Sequence, residues 1–99
     1  MSFIEEVRKR CEENRLAYFN DMVNESIDLA VQKIEIKSLH LGIYNNESIY
    51  LGEQDYASGV FRREAGEKIT DEKVIEAVGD HFRREGFTVT DDHRTISWK

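Results

Sequence analysis

Phe3 to Ile34, FIEEVRKRCEENRLAYFNDMVNESIDLAVQKI, holds neither glycine nor proline and carries apolar residues at helical spacing along its whole length. Two stripes run through it. The first is Ile4, Val7, Cys11, Tyr18 and Met22; the second is Leu16, Phe19, Val23, Ile27, Ala30 and Ile34, spaced by threes, fours or a heptad. Ser2 and Glu5 match a capping box, whose side chains satisfy backbone N–H groups that a first helical turn leaves free. As one rod the stretch would be about 48 Å long at 1.5 Å per residue, longer than a compact domain of this size is wide. Either it breaks among Asn14, Asn20 and Asn24, whose short amides compete with helical backbone bonding, or it projects. A projecting rod leaves its first stripe for a partner chain to cover, and the residues alone allow both outcomes.

Downstream the period changes. Leu39, Leu41 and Ile43 alternate on one face and Ile49 and Leu51 answer after Asn45-Asn46-Glu47, which predicts a hairpin with a three-residue connection. From Glu53 to Ala65 the spacing of Tyr56, Ala57, Val60 and Phe61 suggests a short helix interrupted by Gly59. Phe61-Arg62-Arg63-Glu64 recurs as Phe82-Arg83-Arg84-Glu85, each copy just before a glycine-containing stop, as two helix ends would be.

The best-signalled helix runs from Thr70 to Glu85. Thr70 suits the N-cap, Asp71 and Glu72 the positive end of the dipole, and Ile69 can staple on Val74. Gly86 suits the left-handed exit, Phe87 can pack back on Phe82, and Val74, Ile75, Val78 and Phe82 form the inward face. A second hairpin closes the chain, pairing Val89 with Ile96 and Phe87 with Trp98 around an Asp92-His93 turn. The expected fold is α+β in two layers: a four-stranded antiparallel sheet of two hairpins, covered on one side by a long N-terminal helical region and one or two further helices. Residues 1–99 read as a single domain in the order α-β-β-(α)-α-β-β.

Composition narrows the function. Twenty acidic residues against fourteen basic give a net charge of -6 over 99 residues, which repels nucleic acid at long range. One cysteine, Cys11, excludes an intramolecular disulfide and suits a cytoplasmic setting. The charged start lacks the apolar core of a signal peptide, and no apolar run approaches the roughly 20 residues of a membrane span. No proline occurs, and no stretch reads as a linker or low-complexity tract.

No pattern of residues carries obvious catalysis. His40, His81 and His93 lack metal-ligand spacing, and Asp91-Asp92-His93 reads as turn chemistry, since Asp and His tolerate positive φ. Glu12 and Glu13 beside Cys11 disfavour a reactive thiolate. Phosphate-loop, HExxH, GxSxG, CxxC and EF-hand spacings do not occur. The expectation is a non-enzymatic chain without cofactor or metal. Arg62, Arg63, Arg83 and Arg84, near Phe61, Phe82 and Phe87, make the case for a nucleic-acid or phosphate surface, against flanking Glu64, Glu67 and Glu85. Acidic residues from Glu5 to Asp28 would give the N-terminal region a negative side, suited to a solvated face or to mimicry of a nucleic-acid backbone.

The Met-Ser-Phe-Ile-Glu-Glu opening and the Gly-Phe-Thr-Val-Thr...Thr-Ile-Ser-Trp-Lys close are similar in style to small accessory proteins of large tailed bacteriophages. The resemblance covers the two ends, about a third of the chain, and brings no site with it. It implies a non-enzymatic role against a host component or within phage development. The reading from the residues is a small protein-protein interaction protein that self-associates, as a homodimer, through Ile4, Val7, Cys11, Tyr18 and Met22. The alternative is a phosphate- or nucleic-acid-binding module built on the four arginines.

Overall fold

The computed structural model describes residues 2–39 and 47–98. Its elements are α1 (Phe3–Leu39), β1 (Ser48–Tyr50), a 3-10 turn (Glu53–Asp55), β2 (Phe61–Glu64), β3 (Glu67–Thr70), α2 (Glu72–Arg84), β4 (Thr88–Val89) and β5 (Thr95–Ser97).

Of the two outcomes open to the N-terminal stretch, the structure takes the projecting one, as a single helix of 37 residues. At its entry the Glu5 N–H donates to Ser2 Oγ at 3.4 Å, half of the expected capping box. Asn14, Asn20 and Asn24 do not break it: all three are exposed, where solvent competes with the backbone for a short amide. The two apolar stripes lie roughly a third of a turn apart at 100° per residue, and each belongs to one half of the rod. From Phe19 onward the second stripe packs on the body, with Ala30 fully buried and Phe19, Val23, Ile27 and Ile34 against the core. The molecule is consequently 63 Å long and 33 by 22 Å across.

The expected four-stranded sheet is instead a three-stranded antiparallel sheet, ordered β1-β5-β4, and a separate two-stranded hairpin, β2-β3. Leu39, assigned to a strand from its alternation with Leu41 and Ile43, is the last residue of α1. Residues 40–46, with His40 and most of the predicted first hairpin, lie outside the described residues. Ile49 and Leu51 are buried as their pattern requires, but β1 pairs with β5, Ile49 opposite Ile96.

The Glu53–Ala65 segment is no helix beyond its 3-10 turn. Its second half is β2, which pairs with β3 from Phe61–Thr70 to Glu64–Glu67 across Ala65 (φ 50°) and Gly66 (φ 81°). Two successive left-handed residues are what a two-residue hairpin turn demands. That pairing takes Thr70 into the strand, so Asp71 caps α2 in its place, without a side-chain cap bond, and its own N–H donates to Val60 O at 2.7 Å.

The exit of α2 forms as its residues indicate. Gly86 takes φ 99°, Phe87 N–H donates to Phe82 O at 3.0 Å and Gly86 N–H to Arg83 O at 3.1 Å, the two bonds of a Schellman motif. The Phe82 and Phe87 rings meet edge to face at 5.5 Å. In the last hairpin Val89 faces Ile96 as expected. Its turn is longer than the two residues predicted, since Thr90 N–H still donates to Thr95 O at 3.1 Å and His93 takes the left-handed position at φ 64°. The core lies where α2, the second half of α1 and the sheet meet, with Leu51, Val60, Val74, Val78 and Ile96 fully enclosed. Ser26, also fully buried, accepts the Ala57 N–H at 2.9 Å.

Candidate protein interaction surface

Every residue from Phe3 to Tyr18 is exposed. Among them Phe3 is 75% exposed, Ile4 57%, Leu16 61% and Tyr18 58%, and Val7 and Cys11 stand beside them. The structure therefore gathers Ile4, Val7, Cys11 and Tyr18 on one uncovered strip of helix. Met22, placed in the same strip by its spacing, is different: at 5% exposure it belongs to the core of its own chain. Leu16 departs the other way, since its stripe is otherwise packed and it is not.

Where the rod leaves the body, an open groove of about 790 Å³ lies between α1, β2 and the start of α2. Leu16, Tyr18, Phe19 and Met22 give it apolar walls, and Arg15, Arg62, Glu64, Asp71 and Lys73 a charged rim. Arg62 is fixed there by an ion pair with Glu64 at 2.9 Å and a bond to Gly59 O at 3.2 Å. Gly59 needs its glycine for a φ of 99°; the Tyr18 hydroxyl, 2.8 Å from where a Cβ would stand, is the free end of an exposed side chain. The exposed strip thus runs directly into a groove. Nothing local in the sequence signals this groove, because its walls come from three elements that meet only on folding.

The four arginines of the alternative reading are spread out. Arg62 and Arg63, neighbours whose side chains leave β2 on alternating sides, both border a hollow with Glu53, Phe61 and Lys68. Lys68 is paired with Glu53, and that bond holds the Glu53 carboxyl below its ordinary pKa. Arg83 is occupied by the fold: it donates to Asp80 Oδ1 at 2.9 Å, Thr90 O at 2.8 Å and Val89 O at 3.4 Å, and meets His93 Nδ1 at 3.0 Å. Arg84 is exposed at the end of α2.

Asp91-Asp92-His93 forms the tip of the last hairpin. Asp92 accepts the Thr90 hydroxyl and the Arg94 N–H, bonds that hold its carboxyl below the ordinary range. His81 packs edge-on against Phe82 at 5.1 Å. Arg94, which the sequence did not single out, has its guanidinium 5.1 Å from the Tyr50 ring and 5.5 Å from the Phe61 ring, and donates to Leu51 O at 2.9 Å. It ties the sheet to the β2-β3 hairpin. Among the described residues no three His, Cys, Asp or Glu side chains gather to hold a metal ion, and no helix is long and apolar enough to cross a membrane. Comparison with known protein families, curated proteins and solved structures yields no match.

Proposed function

We propose that this chain is a small non-enzymatic interaction protein that self-associates through the first half of α1. The observation behind it is the helix from Phe3 to Tyr18, which carries Phe3, Ile4, Val7 and Tyr18 exposed and on which, among the described residues, no side chain is buried. A helix of about 15 residues is marginal in water on its own, and apolar strips on such a helix gain when another surface removes them from solvent. A phage accessory or host-modulating role, with a host protein on the same strip, belongs to this proposal. The arginine-based alternative has less behind it, because Arg83 already spends its donors on Asp80, Val89 and Thr90.

Size exclusion with light scattering at tens of micromolar tests it. The wild-type chain should run at twice its mass, and Val7→Glu at the mass of one chain. A wild-type chain that stays monomeric, unaltered by Val7→Glu, removes the proposal.

A further inference from the structure

Ile4, Val7, Cys11, Asn14 and Tyr18 recur at steps of three and four, the a and d positions of a heptad, for just over two repeats. This seam stops at the body: the next two positions in the series are Asp21 and Glu25, both exposed. What flanks it is of one sign. Measured from the middle of the seam at about 100° per residue, Arg8, Arg10 and Arg15 lie about 60–80° round, and Glu5, Glu6, Glu12 and Glu13 about 120–140°. Arg8 and Arg15 hold e positions and Arg10 a g position, whereas those four carboxylates sit at b or c, on the outer side. The three arginines are exposed, and none of them forms an ion pair among the described residues.

We infer that the preferred occupant of this seam is an acidic amphipathic helix of another protein, with apolar residues against Ile4, Val7, Cys11 and Tyr18 and Glu or Asp against Arg8, Arg10 and Arg15. The inference rests on the strip's being an interaction surface, as proposed above, and names a partner that displaces the second copy.

Charges at the e and g positions of paired helices set which partner and which orientation are accepted. A second copy laid on the same seam sets arginine against arginine in either direction: Arg10 meets Arg15 when the helices run parallel, and Arg8 and Arg15 meet their own kind when they run antiparallel. Self-association there proceeds against that repulsion. An acidic helix covers the same apolar residues and turns each repulsion into an attraction, so the contrast between the two partners sets the specificity. The ordering cost falls on the partner alone. An isolated helix of about 15 residues is marginal in water, but this one is continuous with the half of α1 that packs on the core. A flat anionic lipid surface fits less well, because Asp21 and Glu25 follow Tyr18 along the same side and would be pressed against like charge. A partner helix about 21 Å long ends before them.

Two synthetic peptides of about three heptads test this on the full chain. Both carry leucine at a and d; one carries glutamate and the other lysine at e and g. Titration calorimetry should give one glutamate peptide per chain, held about tenfold or more tightly than the lysine peptide, as expected of a few exposed pairs made rather than opposed. Added salt should weaken it progressively. Light scattering should show the two-chain particle giving way to one chain with one peptide. Arg8→Glu, Arg10→Glu and Arg15→Glu together should reverse the preference between the peptides, and since all three sites are exposed circular dichroism should show helix content unchanged. Equal binding of the two peptides, binding of neither, or a preference that survives the triple substitution overturns the inference; a two-chain wild-type particle then leaves self-association standing. Binding to vesicles of anionic phospholipid in place of the glutamate peptide overturns it too. A wild-type chain that is monomeric yet takes the glutamate peptide upholds the inference and removes self-association.

Discussion

Gly79 sits inside α2, where alanine would ordinarily gain about 1 kcal/mol of helix propensity. Here a Cβ would stand 2.6 Å from His93 Cβ and 2.8 Å from its Nδ1. His93 cannot easily retreat, being held at φ 64° and against Arg83 at 3.0 Å. Overpacking of this kind costs about 1–3 kcal/mol, so Gly79→Ala should lower stability to denaturant by about 1 kcal/mol despite the propensity gain. Adding His93→Gly, which removes the obstructing ring and suits the positive φ, should recover the loss; non-recovery would place the strain elsewhere. Tyr56 gives a pH prediction. It is 5% exposed, its hydroxyl has no hydrogen-bond partner among the described residues, and burial pushes its phenol up to about 12 from 10.0. Between those values the unfolded chain gives up its proton while the folded chain keeps it, so the unfolded state binds fewer protons and stability falls as pH rises. Tyr56→Phe should be neutral to slightly stabilising at pH 7, because a buried hydroxyl without a partner contributes nothing to offset its desolvation. In urea titrations it should also lose less stability than wild type on going from pH 10 to 12. An equal loss in both chains would mean that Tyr56 titrates normally.

Both copies of Phe-Arg-Arg-Glu have the same residues and neighbouring glycines, yet one is β2 and the other ends α2. What separates them is the partner. Phe82 has the apolar residues Val74, Ile75 and Val78 behind it at helical spacing and buries with them, whereas Phe61 is opposite Thr70 across a turn that two left-handed residues close. The α2 exit and the Val89–Ile96 register were legible because their determinants are local: a glycine, two phenylalanines, an alternation. The sheet order was not, because β1 could be assigned to β5 only across the 44 residues between Tyr50 and Thr95, and no spacing in the chain encodes that. The edge of β1 shows what α1 does once packed. Lys37 Nζ donates to Ser48 O at 2.6 Å, and Lys33 Nζ donates to Tyr50 O at 2.7 Å and Asp55 Oδ2 at 2.9 Å. One helical turn separates these two lysines, and two residues of strand separate the carbonyls, so helix and edge match in pitch. Strand edges left open invite pairing with other chains, and these ammonium groups close this one. Lys33→Ala should cost about 1 kcal/mol, toward the low end for bonds to a charged group because the site is partly solvated. Thermal unfolding would register it, and an unchanged midpoint would mean that water replaces the lysine without loss.

The molecule divides its long helix between two tasks, and the division falls near Leu16 to Phe19, where the apolar stripe passes from one face to the other. Beyond that point α1 is part of the body, contributing Met22, Ser26 and Ala30 to the buried set. Before it, no side chain is buried at all. Folding and association should therefore be separable by truncation. A chain that begins at Asn14 keeps every core residue and starts on a side chain well suited to cap the shortened helix. It loses Ile4, Val7 and Cys11, and with them most of the exposed strip. The truncated chain should be monomeric by light scattering and should unfold within about 2 °C of the Val7→Glu monomer, because the deleted turns make no contact whose loss would reach the 1 kcal/mol that shifts a domain of this size by about 4–8 °C. Wild type should unfold at a temperature that rises with protein concentration, as expected when association draws on the folded state alone, and the truncated chain at one that does not. If the truncated body melted far below the Val7→Glu monomer, the first half of α1 would have to support the core directly, and its exposure could no longer be read as a surface kept for a partner.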